Sequence, residues 1–149
     1  MSAQEHKVDR KGWPAGPWDD EPQDREEWRH ASGMPCLMVR SPHGNWCGYV
    51  GVPPGHPYHG KEYGEADVET HGGLTFAGAC QGRICHEAKP GEPEPWWLGF
   101  DCAHCWDISP GMVKYGLGSD PRAQYATARY VRNTVNALAD QLAAAVGAA

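Results

Sequence analysis

The chain has 149 residues, the size of one domain that can bury a core without covalent staples. Its net charge of −6 argues against a general nucleic-acid binder, which needs a basic face to offset phosphates, although Arg122, Arg129 and Arg132 gather late in the chain. No apolar run approaches the roughly 18 residues of a membrane span, and the polar opening stretch lacks the apolar segment of a signal peptide. These features predict a soluble cytoplasmic protein whose six cysteines are thiols or metal ligands rather than disulfides.

Residues 1–11 are charged and aperiodic and read as a disordered tail, leaving residues 12–149 as a single domain. Gly12 to His30 is an irregular arm rich in proline and tryptophan. Pro22 is placed to start a short helix, and Trp13, Trp18 and Trp28 are placed to clamp the arm to the domain. Pro35–Arg40 and Trp46–Val52 are apolar strands joined by Ser-Pro-His-Gly-Asn, which is turn chemistry, so they predict a hairpin. Pro53 to Gly64 must loop. Val68 to Ala77 reads as a third strand region, broken at Gly72-Gly73 by a bulge or a close backbone approach.

After an irregular, acidic spacer, Trp96, Leu98, Phe100 and Cys102 alternate with Trp97, Gly99 and Asp101, which is strand periodicity. This strand runs into Asp101-Cys102-Ala103-His104-Cys105-Trp106-Asp107, where a rigid element delivers carboxylates, thiols and an imidazole to a loop. Asp120-Pro121 looks like an N-cap and first helical residue. Ala128, Val131, Val135, Leu138, Leu142 and Val146 then recur at three or four residues, predicting an amphipathic helix of about six turns with its apolar stripe on the sheet. The expected fold is α+β: a small, mostly antiparallel sheet of about four strands with one long C-terminal helix packed on it.

Three sets of residues can carry chemistry. Asp101, His104 and Asp107, joined by His71 from the preceding strand region, suit zinc or another divalent ion. In that arrangement His71, His104 and Asp107 are the ligands, and Asp101 or Asp107 is the general base acting on a metal-bound water. The bland alternative is that Asp101 and Asp107 cap turns and His104 bonds the backbone. Cys80-x4-Cys85 and Cys102-x2-Cys105 form a possible four-thiolate zinc site, with a first half looser than a usual knuckle. Thiol catalysis is a third option, through Cys47 near His43 or Cys102 near His104. His56 and His59, in a loop flanked by glycines, are candidates for a lid over the site, and Trp46 for ligand contact. Gly72-Gly73 lacks the lysine and the strand–loop–helix frame of a phosphate loop.

Four motifs together resemble a family of short, functionally uncharacterised bacteriophage and prophage proteins. They are Trp46-Cys47-Gly48-Tyr49-Val50-Gly51-Val52-Pro53, Gly55-His56-Pro57, His71-Gly72-Gly73-Leu74-Thr75-Phe76-Ala77-Gly78 and Trp97-Leu98-Gly99-Phe100-Asp101-Cys102-Ala103-His104. Tyr130-Val131-Arg132 fits as well, so the resemblance covers about Gly12 to Leu142. It implies a phage or prophage origin and transfers no activity. Members often carry a small residue at the position of Cys105, which weakens the four-thiolate reading and favours His104 with Asp107.

The leading expectation is a metal-dependent hydrolase of a small substrate, with its pocket at the end of the Trp96–Asp101 strand. The first rival is a non-enzymatic protein that sequesters a host protein or a small signalling ligand, using tryptophans as anchors. The second is a structural zinc module.

Overall fold

The computed structural model describes residues 6–116 and 122–148, with side chains as far as residue 146. Five strands form one antiparallel sheet in the order β1-β2-β3-β5-β4: β1 Arg25–Arg29, β2 Pro35–Arg40, β3 Trp46–Val52, β4 Phe76–Gly78 and β5 Trp96–Asp101. One long helix, α1 (Ala128–Ala148), packs across a face of the sheet. The fold is therefore α+β, as expected, with five strands rather than about four.

The extra strand is β1, in the segment expected to be helical after Pro22. Arg25-Glu26-Glu27-Trp28-Arg29 instead pairs along β2, with Arg25 opposite Val39 and Arg29 opposite Pro35. Its charges alternate by face. Trp28 Nε1 donates to Asn136 on α1 at 2.9 Å, and Arg132 stacks over the Trp28 ring at 4.1 Å. On the opposite face Arg25 donates to the Cys85 carbonyl at 2.6 Å and Arg29 pairs with Glu92 at 2.7 Å. A five-residue segment has weak helix propensity, and partners on both faces override it. A charged edge strand also discourages pairing with another chain.

The alternation read along β5 is the one the structure uses. Leu98, Phe100 and Cys102 join the core beneath α1, while Trp97 points into a second cluster with Leu37, Val39 and Tyr49. Covering on both faces explains why every residue of β2 is buried. On α1, Val131, Val135, Leu138, Ala139 and Leu142 are completely buried, whereas Val146, expected on the same stripe, is exposed. Gly48 lets α1 approach: a Cβ there would lie 2.5 Å from Val135 Cγ2.

The helix begins at Ala128, later than the expected start. Asp120 and Pro121 lie outside the described residues, and residues 122–127 are not helical. Thr127 is the cap instead, its Oγ1 accepting from the Tyr130 N–H at 3.1 Å. In the third strand region only Phe76–Gly78 forms a strand, on the outer side of β5. Gly72 and Gly73, upstream of it, have φ of +75° and +90°, outside the extended conformation of a strand.

Part of the expected tail is docked. His6 Nε2 lies 2.8 Å from the Arg40 carbonyl oxygen, Val8 N–H donates to Asp24 at 2.9 Å and Arg10 pairs with Asp24 at 2.6 Å. Trp13 lies under the Arg10 guanidinium at 5.1 Å, and Trp18 meets Tyr125 edge-on at 5.2 Å, so the arm is clamped by its aromatic residues.

Candidate metal centre at the end of β5

β5 ends at Asp101, and the chain leaves the sheet through a pair of reciprocal turns. Asp101 Oδ1 accepts the Ala103 N–H at 3.1 Å, and its Oδ2 accepts the Thr75 hydroxyl at 3.2 Å. Three residues on, Asp107 N–H donates to the His104 carbonyl at 2.9 Å while His104 N–H donates back to Asp107 Oδ2 at 3.0 Å. Residues 122–127 then brace this turn. Gln124 N–H donates to the Trp106 carbonyl at 3.0 Å and Ile108 N–H to the Gln124 carbonyl at 2.9 Å. The bracing aims the Asp107 carboxylate inward, with its side chain only 3% exposed.

Two imidazoles meet that carboxylate. His71 Nε2 lies 2.8 Å from Oδ1 and 2.9 Å from Oδ2, and His104 Nδ1 lies 2.9 Å from Oδ2. The ligating atoms of His71, His104 and Asp107 all fall within 4.8 Å of one another, so this group can hold a metal ion. His104 stacks flat on Trp106, with centroids 4.5 Å apart and an interplanar angle of 2°. The other nitrogen of His71, Nδ1, is 2.7 Å from the Tyr130 hydroxyl.

Gly72 makes room for this arrangement. A Cβ there would lie 2.4 Å from His104 Nε2, and the positive φ independently favours glycine. The Gly-Gly break is therefore the close backbone approach that its position beside His71 suggested.

The cluster forms a wall between two pockets. One, of about 370 Å³, is lined by His71, Trp106, Asp107, Gln124, Thr127 and Tyr130 among others. The second, of about 380 Å³, lies on the His104 side with Asn45, Cys105 and Ser109.

The other predicted site residues lie elsewhere. Asp101 has both oxygens engaged by the turn and by Thr75, and it does not join the cluster, so the general-base role expected for it has no geometric basis. His56 is buried, and its Nε2 meets the Leu142 carbonyl oxygen at 2.8 Å. It ties the loop to α1 rather than forming a lid. His59 lies against Trp96, with centroids 6.1 Å apart. Trp46 is fully buried beneath the Arg40 guanidinium, which sits 4.2 Å from its ring, so it has no surface for a ligand.

The cysteines overturn the four-thiolate reading. Cys80 and Cys85 form a disulfide with Cα atoms 4.8 Å apart. The spacing that looked like a loose zinc half-site is that of a tight hairpin: Gln81 pairs with Ile84 across a turn at Gly82, whose φ is +55°, bringing the flanking cysteines together. A bridged sulfur offers no thiolate. Cys102 is buried in the core and Cys105 is exposed, so the second half-site diverges as well. Burial also disfavours thiol catalysis, pushing the Cys47 thiol up to about 11 and Cys102 well above the ordinary thiol range.

No family model matches the chain, and no curated protein or solved structure matches it either. No described helix is long and apolar enough to cross a membrane.

The residues missed from sequence are Tyr130 and Trp106. Tyr130 lies off the apolar stripe of α1 and reads as an ordinary surface position. Trp106 sits between two candidate ligands, and that adjacency was the available signal.

Proposed function

We propose that His71, His104 and Asp107 form a zinc or similar divalent-metal centre, and that the protein hydrolyses a small polar substrate in the adjoining pocket. The observation that carries this reading is the convergence of two imidazoles on one buried carboxylate at a pocket wall. The present nitrogen–oxygen separations of 2.8 to 2.9 Å are hydrogen-bond distances. Ligands held about 2.1 Å from a tetrahedral ion stand about 3.4 Å apart, so the His–Asp separations would widen by about half an ångström and the three ligand atoms, now within 4.8 Å of one another, would rearrange around the ion. A divalent ion held by His71, His104 and Asp107 would supply Lewis-acid activation of a water or a substrate oxygen, the chemistry a hydrolytic site needs. Asp107 would then serve as a ligand rather than as a general base.

The disulfide favours an oxidising setting over the reducing cytoplasm expected from the thiol count. One observation favours a non-enzymatic binder of a small ligand: Trp106 is 49% exposed and offers a flat aromatic platform beside the pocket.

The test is to strip the protein with a chelator, reload it with zinc, manganese or iron(II), and measure bound metal together with turnover of p-nitrophenyl esters and phosphates. One ion per chain with turnover supports the hydrolase. One ion without turnover supports the binder, and no bound ion rejects the metal centre.

A further inference from the structure

The turn that joins β1 to β2 holds a histidine and a serine, and α1 brings a carboxylate to them. Alternate residues of a strand recur about 6.8 Å apart and residues four apart on a helix about 6 Å apart, so one strand can meet one helix in step. Here Glu26 pairs with Arg132, Trp28 with Asn136 and, just past the end of β1, His30 with Asp140. His30 Nε2 lies 2.6 Å from Asp140 Oδ1. The chain then reverses. His30 N–H donates to the Met34 carbonyl at 3.0 Å, Gly33 N–H donates to the His30 carbonyl at 2.8 Å, and Gly33 has a φ of +92°. The reversal folds Ser32 back on the imidazole, with its Oγ 2.8 Å from His30 Nδ1.

The hydrogen bonds fix where the protons sit. The Ser32 backbone N–H donates to His30 Nδ1 at 3.1 Å, and a backbone N–H can only donate, so Nδ1 carries no proton. A carboxylate only accepts, so the ring proton is on Nε2 and points at Asp140. The Ser32 hydroxyl is then the donor to Nδ1, and the Met34 N–H, 3.3 Å from Oγ, steadies the oxygen. This is the proton arrangement of a serine nucleophile, its base and an orienting carboxylate, with the two ring nitrogens exchanged relative to the usual order. Ser32 is exposed and lines a cavity of about 220 Å³ walled by Met34, Pro35, Pro53, Pro93 and Pro95. The charged residue on that wall, Glu92, is held by both terminal nitrogens of Arg29 at 2.7 and 2.8 Å.

We propose that Ser32, His30 and Asp140 form a serine esterase site, sharing no residue with the metal centre, that acts on a neutral ester whose small apolar acyl group sits against the prolines. Ser32 is the nucleophile, His30 the general base and Asp140 the positioning residue that orients the ring. Ser32 Oγ bonds to the ester carbonyl carbon as its proton passes to His30 Nδ1. The bond from that carbon to the alcohol oxygen breaks, and the departing alcohol takes the proton, leaving an acyl-serine. Water then attacks the acyl carbon and gives a proton to Nδ1, and Ser32 Oγ leaves with that proton. Ester and water thereby become acid and alcohol.

The experiment uses the full-length protein in excess chelator, which keeps the metal centre out of the result. A fluorophosphonate probe should form a phosphorus–oxygen bond with loss of fluoride, and peptide mass spectrometry should place it on Ser32. p-Nitrophenyl butyrate should release p-nitrophenol, and Ser32→Ala should lose both the label and the release. Asp140 is 73% exposed, so Asp140→Ala should slow acylation by about fivefold, the worth of an exposed ion pair. The ester concentration that half-saturates the reaction should stay at its wild-type value, because Asp140 does not line the cavity. Asp140→Glu should recover part of the rate. Folded wild type that takes no label at Ser32, or ester release that persists in Ser32→Ala, would overturn the proposal. Acylation at the wild-type rate in Asp140→Ala would overturn the triad. The wild-type labelling decides the nucleophile even if a variant folds poorly.

Discussion

Two buried polar clusters meet near the start of α1, and they are built from different chemistry. In the first, Arg40 is fully buried and pairs with Asp24 at 3.1 Å and Glu21 at 3.2 Å. It donates to the Gly44 carbonyl and the Tyr125 hydroxyl, each at 2.7 Å. Arg10 gives Asp24 a second cation, and Glu21 Oε2 accepts the N–H of Ala128, the first residue of α1, at 2.8 Å. Two carboxylates meet two guanidinium groups, so charge is balanced internally. In the second cluster the Asp107 carboxylate meets two imidazoles and a backbone N–H, with a pocket on either side. Tyr125 belongs to the first cluster and lines the pocket of the second, so closely spaced groups serve separate ends. The difference teaches that burial and hydrogen bonding alone do not mark a site. A closed, charge-balanced network is a structural anchor, whereas a carboxylate ringed by imidazoles at a pocket wall is a candidate for a ligand.

The comparison breaks first at Arg40. Arg40→Met leaves Glu21 and Asp24 without their shared cation and should cost about 3–5 kcal/mol, measured by urea denaturation. A loss under about 1 kcal/mol would show that this cluster is not the anchor. Leu138→Ala provides an apolar yardstick in the core beneath α1 and should cost about 2–5 kcal/mol in the same assay, for lost burial plus a cavity.

Acid should act on the first cluster next. Burial works to raise Glu21, but hydrogen bonds from Tyr125, Ala128 N–H, Trp46 and Arg40 outweigh it and hold the carboxyl below its ordinary value of 4.5. Burial likewise opposes the depression of Asp24, and the Val8 N–H, Arg10 and Arg40 overcome it, holding that carboxyl below 3.8. Depressed carboxyls contribute stability that is complete above their unfolded values and disappears as pH falls through their folded ones. Wild-type stability should therefore begin to fall below about pH 4.5, and Arg40→Met should show a shallower decline when followed by thermal unfolding against pH. An equally steep decline in the variant would place the acid-sensitive groups elsewhere.

The smallest stability effect is expected at the second cluster. His104 is on a turn outside the sheet, with its side chain 19% exposed, so His104→Ala should change unfolding free energy by less than about 1 kcal/mol. A loss comparable to that of Arg40→Met would make both clusters structural.

Much of this organisation was legible because long apolar patterns report packing directly. The stripe through Val131, Val135, Leu138 and Leu142 located α1, and the alternation from Trp96 to Cys102 located β5 and its two faces. Partners distant in sequence decided what was not legible. β1 is short and charged, and only its pairing with β2 and its contacts on both faces make it a strand. The Cys80–Cys85 spacing fits a metal knuckle or a bridged hairpin equally well until the Gln81–Ile84 pairing is seen. At the site, His71, His104 and Asp107 were identifiable by residue type and by the Gly-Gly break. Asp101 was misplaced because its carboxylate is used by the strand-exit turn, and Tyr130 was missed because nothing in a helical surface position signals a neighbouring imidazole.

Metal stoichiometry tests the central claim most directly. Calorimetric titration of chelator-treated protein with zinc, checked by elemental analysis, should give one ion per chain for wild type and none for His104→Ala or Asp107→Asn, with all three proteins folded. Wild-type protein that binds no divalent ion, or variants that bind it as tightly as wild type, would contradict the account.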